Sequence, residues 1–396
     1  MAALTEIRQG FLPDPTDLSE LTHIDAAKVR QFVTELNAVT PAILGPRKLV
    51  AAIATGGTIA MKVEDKIRVP DLDFNGVLQL ADPKLPEQFH FVTLDVFGID
   101  SSQMDYSHIR DLAIVASYTW AHTKVPFLGF LVLHGTDTLS YASATFSLMM
   151  GQGLPFSVVY TAAQKPIQEP LSDAPANIQN ALYTLEALHE KDMAEVAVVM
   201  GDRAVLATTS EKVDDTEINA FDAPLHQYVA RFNRLEYPVR LAEWLKPHRP
   251  VPFEPTIWRG AFSHTLVVKS TLGLAPEMVA RQVMDPQVQA VLLYSFGAGT
   301  FHEGITDAVI PAAASKNIPV FVISPVNTAF KTTYHSGMVM IQRGVVPLYM
   351  TLSSALAKIE LALRKYPGDN AAIGQFMVEN YVGEIPTAQS RYLPAK

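Results

Sequence analysis

Two short segments of this 396-residue chain hold the side chains best placed for chemistry. Thr55-Gly56-Gly57-Thr58 sets two hydroxyls around a pair of glycines, and His134-Gly135-Thr136-Asp137-Thr138 sets hydroxyls and a carboxylate beside another glycine. Glycine lets the backbone turn sharply and lets a ligand approach bare amides, so hydroxyls at the same point can meet whatever binds there. Taken alone, the first segment reads equally well as a tight strand-to-loop turn with incidental threonines.

The elements that must position these residues follow from the surrounding pattern. Leu49–Ala54 is an unbroken apolar run, as expected of a parallel strand buried on both faces, and Phe127–Leu133 is a second. Each ends in one of the two segments. Between and beyond them the pattern alternates: strand 89–97, helix 106–122, helix 141–150, strand 156–160, helix 177–189 and strand 195–200. That rhythm predicts an α/β fold with a larger, doubly wound, mainly parallel sheet, in which ligands bind at the carboxyl ends of the strands. Pro238, Pro247, Pro250, Pro252 and Pro255 crowd a stretch that supports neither a helix nor a central strand. The expected organisation is an N-terminal extension (1–45), a catalytic domain (46–237), a Pro-rich linker (238–262) and a smaller C-terminal α/β domain (263–396). Within the extension, Ala26, Val29, Phe32, Val33 and Leu36 share one face of a helix expected over Asp25–Val39, with Asp25 able to cap it.

Composition narrows the function classes. A formal charge of −9 without a run of Lys or Arg argues against nucleic-acid and anionic-membrane partners. The absence of cysteine excludes disulfides, thiolate catalysis and Cys-ligated metal. Neither a leader-like start nor an apolar run of membrane-spanning length is visible, so a cytoplasmic enzyme is the expectation.

The two segments together are far more specific than either alone, and they resemble the bacterial-type L-asparaginase family, which uses a threonine nucleophile. Asp100-Ser101-Ser102-Gln103-Met104 is similar to the family's substrate-binding turn, and Thr161–Ile167 with Ser172-Asp173-Ala174 to its TGAQRP and SDA segments. Gly201-Asp202-Arg203, Glu211-Lys212-Val213 and Asn219–Pro224 follow the same order and spacing. Ser295–Gly299 and Tyr334–Gly337 match the cytoplasmic, type I branch better than the secreted one.

The resemblance implies hydrolysis of L-asparagine to L-aspartate and ammonia through an acyl-enzyme, with glutamine as a secondary candidate, no metal or cofactor, and a homo-oligomer, dimer or tetramer. Amide hydrolysis is eased by a positioned hydroxyl nucleophile and donors for the oxyanion. Thr58 matches the nucleophile, beside Gly57. Thr136, Asp137 and Lys212 match a second catalytic cluster, in which an amine base must be partly neutral and burial favours that state. Asp137 would hold the substrate's α-ammonium, Ser101 and Ser102 its α-carboxylate through hydroxyl and amide donors, and the Ala163 carbonyl the leaving nitrogen, with Asp100 a further residue of the substrate-binding turn.

Three departures stand out. Arg68 occupies the position of a lid tyrosine, and an arginine cannot take a proton from Thr58. Tyr106 and Tyr334 are candidates to fill that gap. Ala162 replaces a glycine, and Thr300 an asparagine that reaches the neighbouring subunit's site. Competing expectations are an asparagine- or aspartate-binding sensor without turnover, and the amidase subunit of a tRNA-dependent amidotransferase. A nucleotide-binding oxidoreductase is disfavoured because Gly297-Ala298-Gly299 lacks the third glycine of a dinucleotide fingerprint and no Walker A is present.

Overall fold

A computed structural model describes residues 10–64, 67–70, 72–232, 239–245, 251–326 and 334–386. Contacts divide the chain into two compact units, one spanning Asp14–Ile257 and the other formed by the segment from Trp258 onward with the residues before Asp14. The division falls within the proline-rich stretch, of which Pro238, Pro247 and Pro250 lie outside the described residues.

The larger unit is built on a seven-stranded sheet. Its strands are β1 (Lys48–Gly56), β4 (Phe89–Ile99), β5 (Gly129–Leu133), β6 (Ser157–Thr161), β7 (Val196–Met200), β8 (Arg203–Leu206) and β11 (Tyr228–Arg231), with a hairpin of β2 (Met61–Glu64) and β3 (Ile67–Pro70) and a ribbon of β9 (Glu211–Lys212) and β10 (Phe221–Asp222) outside it. The order is β11-β8-β7-β6-β5-β1-β4, and the five strands from β4 to β7 run parallel. Val50, Ala52 and Ala54 of β1 and Leu131 and Leu133 of β5 pack one face against Ile178, Leu182 and Leu185. The alternate residues Ala51, Ile53, Phe130 and Val132 are also buried, so both faces are covered, which is why these strands read as unbroken apolar runs.

Helices α1 (Ala26–Ala38), α2 (Phe74–Ala81), α3 (Tyr106–His122), α4 (Leu139–Met150) and α5 (Ala174–Glu190) cover the sheet. Helix α5 begins three residues before the expected Asn177 because Pro175 fits its first turn, where no N–H is needed. The Asp25 carboxylate caps α1 by accepting from the Ala27 amide at 2.8 Å. Val29, Phe32, Val33 and Leu36 are buried, and α1 packs on β4 and α3.

Chain order places the site. From β1 the sheet grows to one side through β4 and then to the other through β5, so the connections leave β1 in opposite directions. The crevice at such a reversal, outside the carboxyl ends of the strands, is where open α/β sheets bind ligands. Thr55-Gly56-Gly57-Thr58 and His134–Thr138 emerge there side by side.

The smaller unit carries a parallel sheet of β12 (His264–Lys269), β13 (Val288–Tyr294), β14 (Val320–Ile323) and β15 (Val346–Pro347), in that order. Helices α6 (Pro276–Val283), α7 (Glu303–Ser315), α8 (His335–Gln342), α9 (Leu352–Lys365) and α10 (Asn370–Val378) accompany it. Among the described residues no helix is long and apolar enough to cross a membrane.

Because Phe32 is 1% exposed at the centre of the buried face of α1, Phe32→Ala is expected to cost about 3–5 kcal/mol in a urea titration. A loss below about 1 kcal/mol would mean that this helix is not part of the cooperative core.

Candidate active site

The site begins with a close approach of backbones. Gly56 and Gly57 have φ of 105° and 88°, conformations that strain any other residue. A Cβ on Gly57 would lie 2.5 Å from the Gly135 Cα, and one on Gly135 would lie 2.4 Å from the Ser101 Oγ. The turns after β1, β5 and β4 therefore pack in sequence, and Thr58, Thr136 and Ser102 each follow directly on a contact residue. Thr55 Oγ1 donates to the Leu133 carbonyl at 3.0 Å, and Thr138 Oγ1 to the Ser101 carbonyl at 3.0 Å, tying the three turns together.

Thr58 opens a short 3-10 turn and is partly exposed, flanked by the buried Gly57 and Ile59. Lys212 comes from β9, whose pairing with β10 sets Lys212 opposite Phe221. Its Nζ donates to Thr136 Oγ1 at 3.0 Å and to Asp137 Oδ1 at 2.7 Å. The Lys212 side chain is 24% exposed and that of Asp137 61%, so the ion pair faces the crevice with its carboxylate outward. The structure thus brings Thr136, Asp137 and Lys212 into one hydrogen-bonded group and sets its loop against that of Thr58.

Asp100 accepts from the Ser102 amide at 2.9 Å, which shapes the turn; Ser101 is buried and Ser102 exposed. Ala163 lies just past β6, fully buried beside Ala162, whose carbonyl accepts from Asn177 Nδ2 at 2.9 Å. Arg68, described by its backbone alone, lies on β3 paired with Val63 of β2. Tyr106 opens α3, whereas Tyr334 and Thr300 belong to the smaller unit.

Two positioning groups were not assigned from the sequence. Asp173 accepts from the Gln164 amide at 3.0 Å and the Lys165 amide at 3.1 Å, so the SDA segment holds the loop that carries Ala163. His134 is fully buried, and its Nδ1 donates to the Gly135 carbonyl at 2.8 Å. A trans peptide points its N–H opposite to its C=O, so the Thr136 amide is turned away from the buried ring. Burial holds the His134 pKa down to about 4 against its ordinary 6.5. Both residues stood within motifs visible in the sequence, but their partners are set by tertiary packing.

The family model "Asparaginase, N-terminal" matches residues 49–242. An L-asparaginase of Thermococcus kodakarensis is 27% identical over 337 residues, covering 84% of this chain and 98% of that protein. L-asparaginase 1 of Escherichia coli K12 is 25% identical over 361 residues, covering 86% and 98%. The solved thermostable L-asparaginase of Thermococcus kodakarensis superposes with a TM-score of 0.72 at 26% identity, covering 85% of this chain and 99% of that one.

Two outcomes test the site's construction. Gly57→Ala forces a Cβ into the Gly135 backbone at a positive φ, and is expected to cost about 1–3 kcal/mol of stability by denaturant titration. An unchanged midpoint would show that the turns are not in contact. For His134, the unfolded chain binds the extra proton between pH 6.5 and about 4, so stability is full above 6.5 and falls on acidification by up to about 3 kcal/mol. His134→Asn, which keeps a donor near the Nδ1 position, should be less sensitive to pH than wild type when unfolding free energies at pH 7.5 and 5.0 are compared; equal sensitivity would exclude His134 as the source.

Proposed function

The chain belongs to the bacterial-type asparaginase family, and we propose that it hydrolyses L-asparagine to L-aspartate and ammonia, with Thr58 as nucleophile. The observation that carries this reading is the hydrogen-bonded group Thr136–Lys212–Asp137, set at the sheet's reversal against the turn that presents Thr58. An amide carbonyl is a weak electrophile, and attack by Thr58 Oγ1 splits its hydrolysis into acylation and deacylation. The Thr136 amide, turned outward by the His134–Gly135 hydrogen bond, supports a role as donor to the developing oxyanion.

Charge organises the remaining roles. Asp137, the exposed carboxylate of the ion pair, receives the α-ammonium of an amino-acid substrate, and Ser101 and Ser102 receive its α-carboxylate. The arriving ammonium takes the place of Lys212 at Asp137, and Lys212, acting in its neutral form, takes the nucleophile's proton through the Thr136 hydroxyl and returns it to the leaving nitrogen as the C–N bond breaks. Ala163 offers its carbonyl to the leaving nitrogen. A glutamine side activity, a homo-oligomer completing the site, and a cytoplasmic setting extend the same reading; the type I relative supports the last of these. Arg68, at the lid position, favours one second reading, a homologue that binds asparagine or aspartate without turnover.

Ammonia release from asparagine by purified protein decides between them. Thr58→Ala is expected to abolish turnover while retaining substrate binding, and Lys212→Met to lower kcat by about a hundredfold or more. Arg68→Tyr should leave wild-type turnover within about tenfold, since Arg68 cannot itself accept a proton. Wild type that binds asparagine but releases no ammonia, with turnover appearing only in Arg68→Tyr, would sink the hydrolase reading in favour of the sensor.

A further inference from the structure

Away from the catalytic crevice, a second set of side chains meets where the N-terminal segment crosses the start of α3. Among the described residues, one ligand atom each from His23, Asp105 and His108 lie within 4.8 Å of one another. His23 Nε2 is 2.7 Å from Ser107 Oγ, Ser107 bonds the Asp105 carboxylate through its hydroxyl and its amide, and His108 Nδ1 is 2.9 Å from Asp105 Oδ1.

The cluster is held from behind. Asp111 is fully buried and accepts from the amides of Thr22 at 2.9 Å and His23 at 2.7 Å, and Arg110 Nη2 donates to Thr22 Oγ1 at 3.2 Å. The backbone that carries His23 is thus fixed by a buried carboxylate 88 residues away in sequence. Phe97 stands edge-on to both imidazoles, at 6.3 Å from His23 and 5.0 Å from His108. Capping of α3 accounts for Asp105, Ser107 and His108, but nothing in a cap requires a second imidazole. The two rings stack at 3.8 Å with 10° between their planes, an arrangement that two charged imidazoliums would oppose.

We propose that His23, Asp105 and His108 bind a divalent transition cation of the zinc, nickel or copper class, with coordination completed by water. Two imidazoles and one carboxylate form a borderline donor set that suits these ions rather than magnesium or calcium. Binding requires one imidazole, that of the exposed His23, to turn out of the stack so that its in-plane lone pair meets the ion. The ion would tether the segment before α1 to the start of α3, just past the Asp100–Gln103 turn. It takes no part in amide hydrolysis, so the site stands or falls independently of the catalytic reading.

The test uses untagged full-length protein stripped with EDTA and titrated with Zn²⁺ by calorimetry, with Co²⁺ absorption reporting the donor set. The expected result is one saturable ion per chain at micromolar or lower concentration. His23→Gln and His108→Gln should each weaken it by about tenfold or more, while Thr58→Ala leaves it unchanged. Melting in EDTA confirms that each variant is folded. No saturable binding, or full affinity retained in either folded histidine variant, would overturn the proposal and leave scattered surface histidines as the source of any residual uptake.

Discussion

The site depends on a contact that contains no side chain. Gly57 and Gly135 meet backbone to backbone, at a separation that excludes even a methyl group. Because the turns after β1 and β5 touch there, Thr58 and Thr136 are fixed relative to one another by the chain itself, not by rotamers. Ser101, packed on the other side of Gly135, adds the turn after β4 to the same stack. Three strands of the sheet thereby converge on one crevice, and Lys212, carried in from a two-stranded ribbon outside the sheet, closes it. Rigid elements with locked turns are what a reaction needing sub-ångström placement demands.

The electrostatics of the crevice are economical in charge. Lys212 and Asp137 form an ion pair at 2.7 Å, so each charge has a partner of opposite sign within the crevice. His134 contributes by staying neutral. Burial disfavours its imidazolium, and a neutral ring with its proton on Nδ1 can donate to the Gly135 carbonyl with no counter-charge in the core.

Much of this was legible in the sequence because the relevant elements are buried on both faces. The apolar runs of β1, β5 and β7 have no alternation to misread, and the glycines that end β1 and β5 mark where the backbone must turn. The shorter elements were not visible. Strands β8 and β11, which run antiparallel to their neighbours, have four residues each, and the hairpin of β2 and β3 carries too short a pattern for periodicity to register. Partnerships were equally hidden. The contact of Asp111 with His23 spans 88 residues, over which spacing says nothing, whereas that of Lys212 with Asp137, across 75, was expected only through the family resemblance. The helix over Ala26–Ala38 was legible from its apolar face, whereas its seat on β4 and α3 was not.

The pairing of Phe11 with Trp258 orders events during synthesis. Gly10 accepts from the Arg259 amide at 3.0 Å and from Arg364 Nη1 at 2.9 Å, so the segment before Asp14 is knitted into the unit formed by the last part of the chain. A ribosome delivers that segment first and its partners last. The unit of Asp14–Ile257 can collapse as soon as it emerges, while the residues ahead of it must wait for Trp258 and Arg364. Closing so long a loop costs only slowly increasing entropy, but it makes the final contacts late and non-local. Nascent chains stalled before Trp258 emerges would hold the sheet of the larger unit with an unclaimed segment ahead of Asp14.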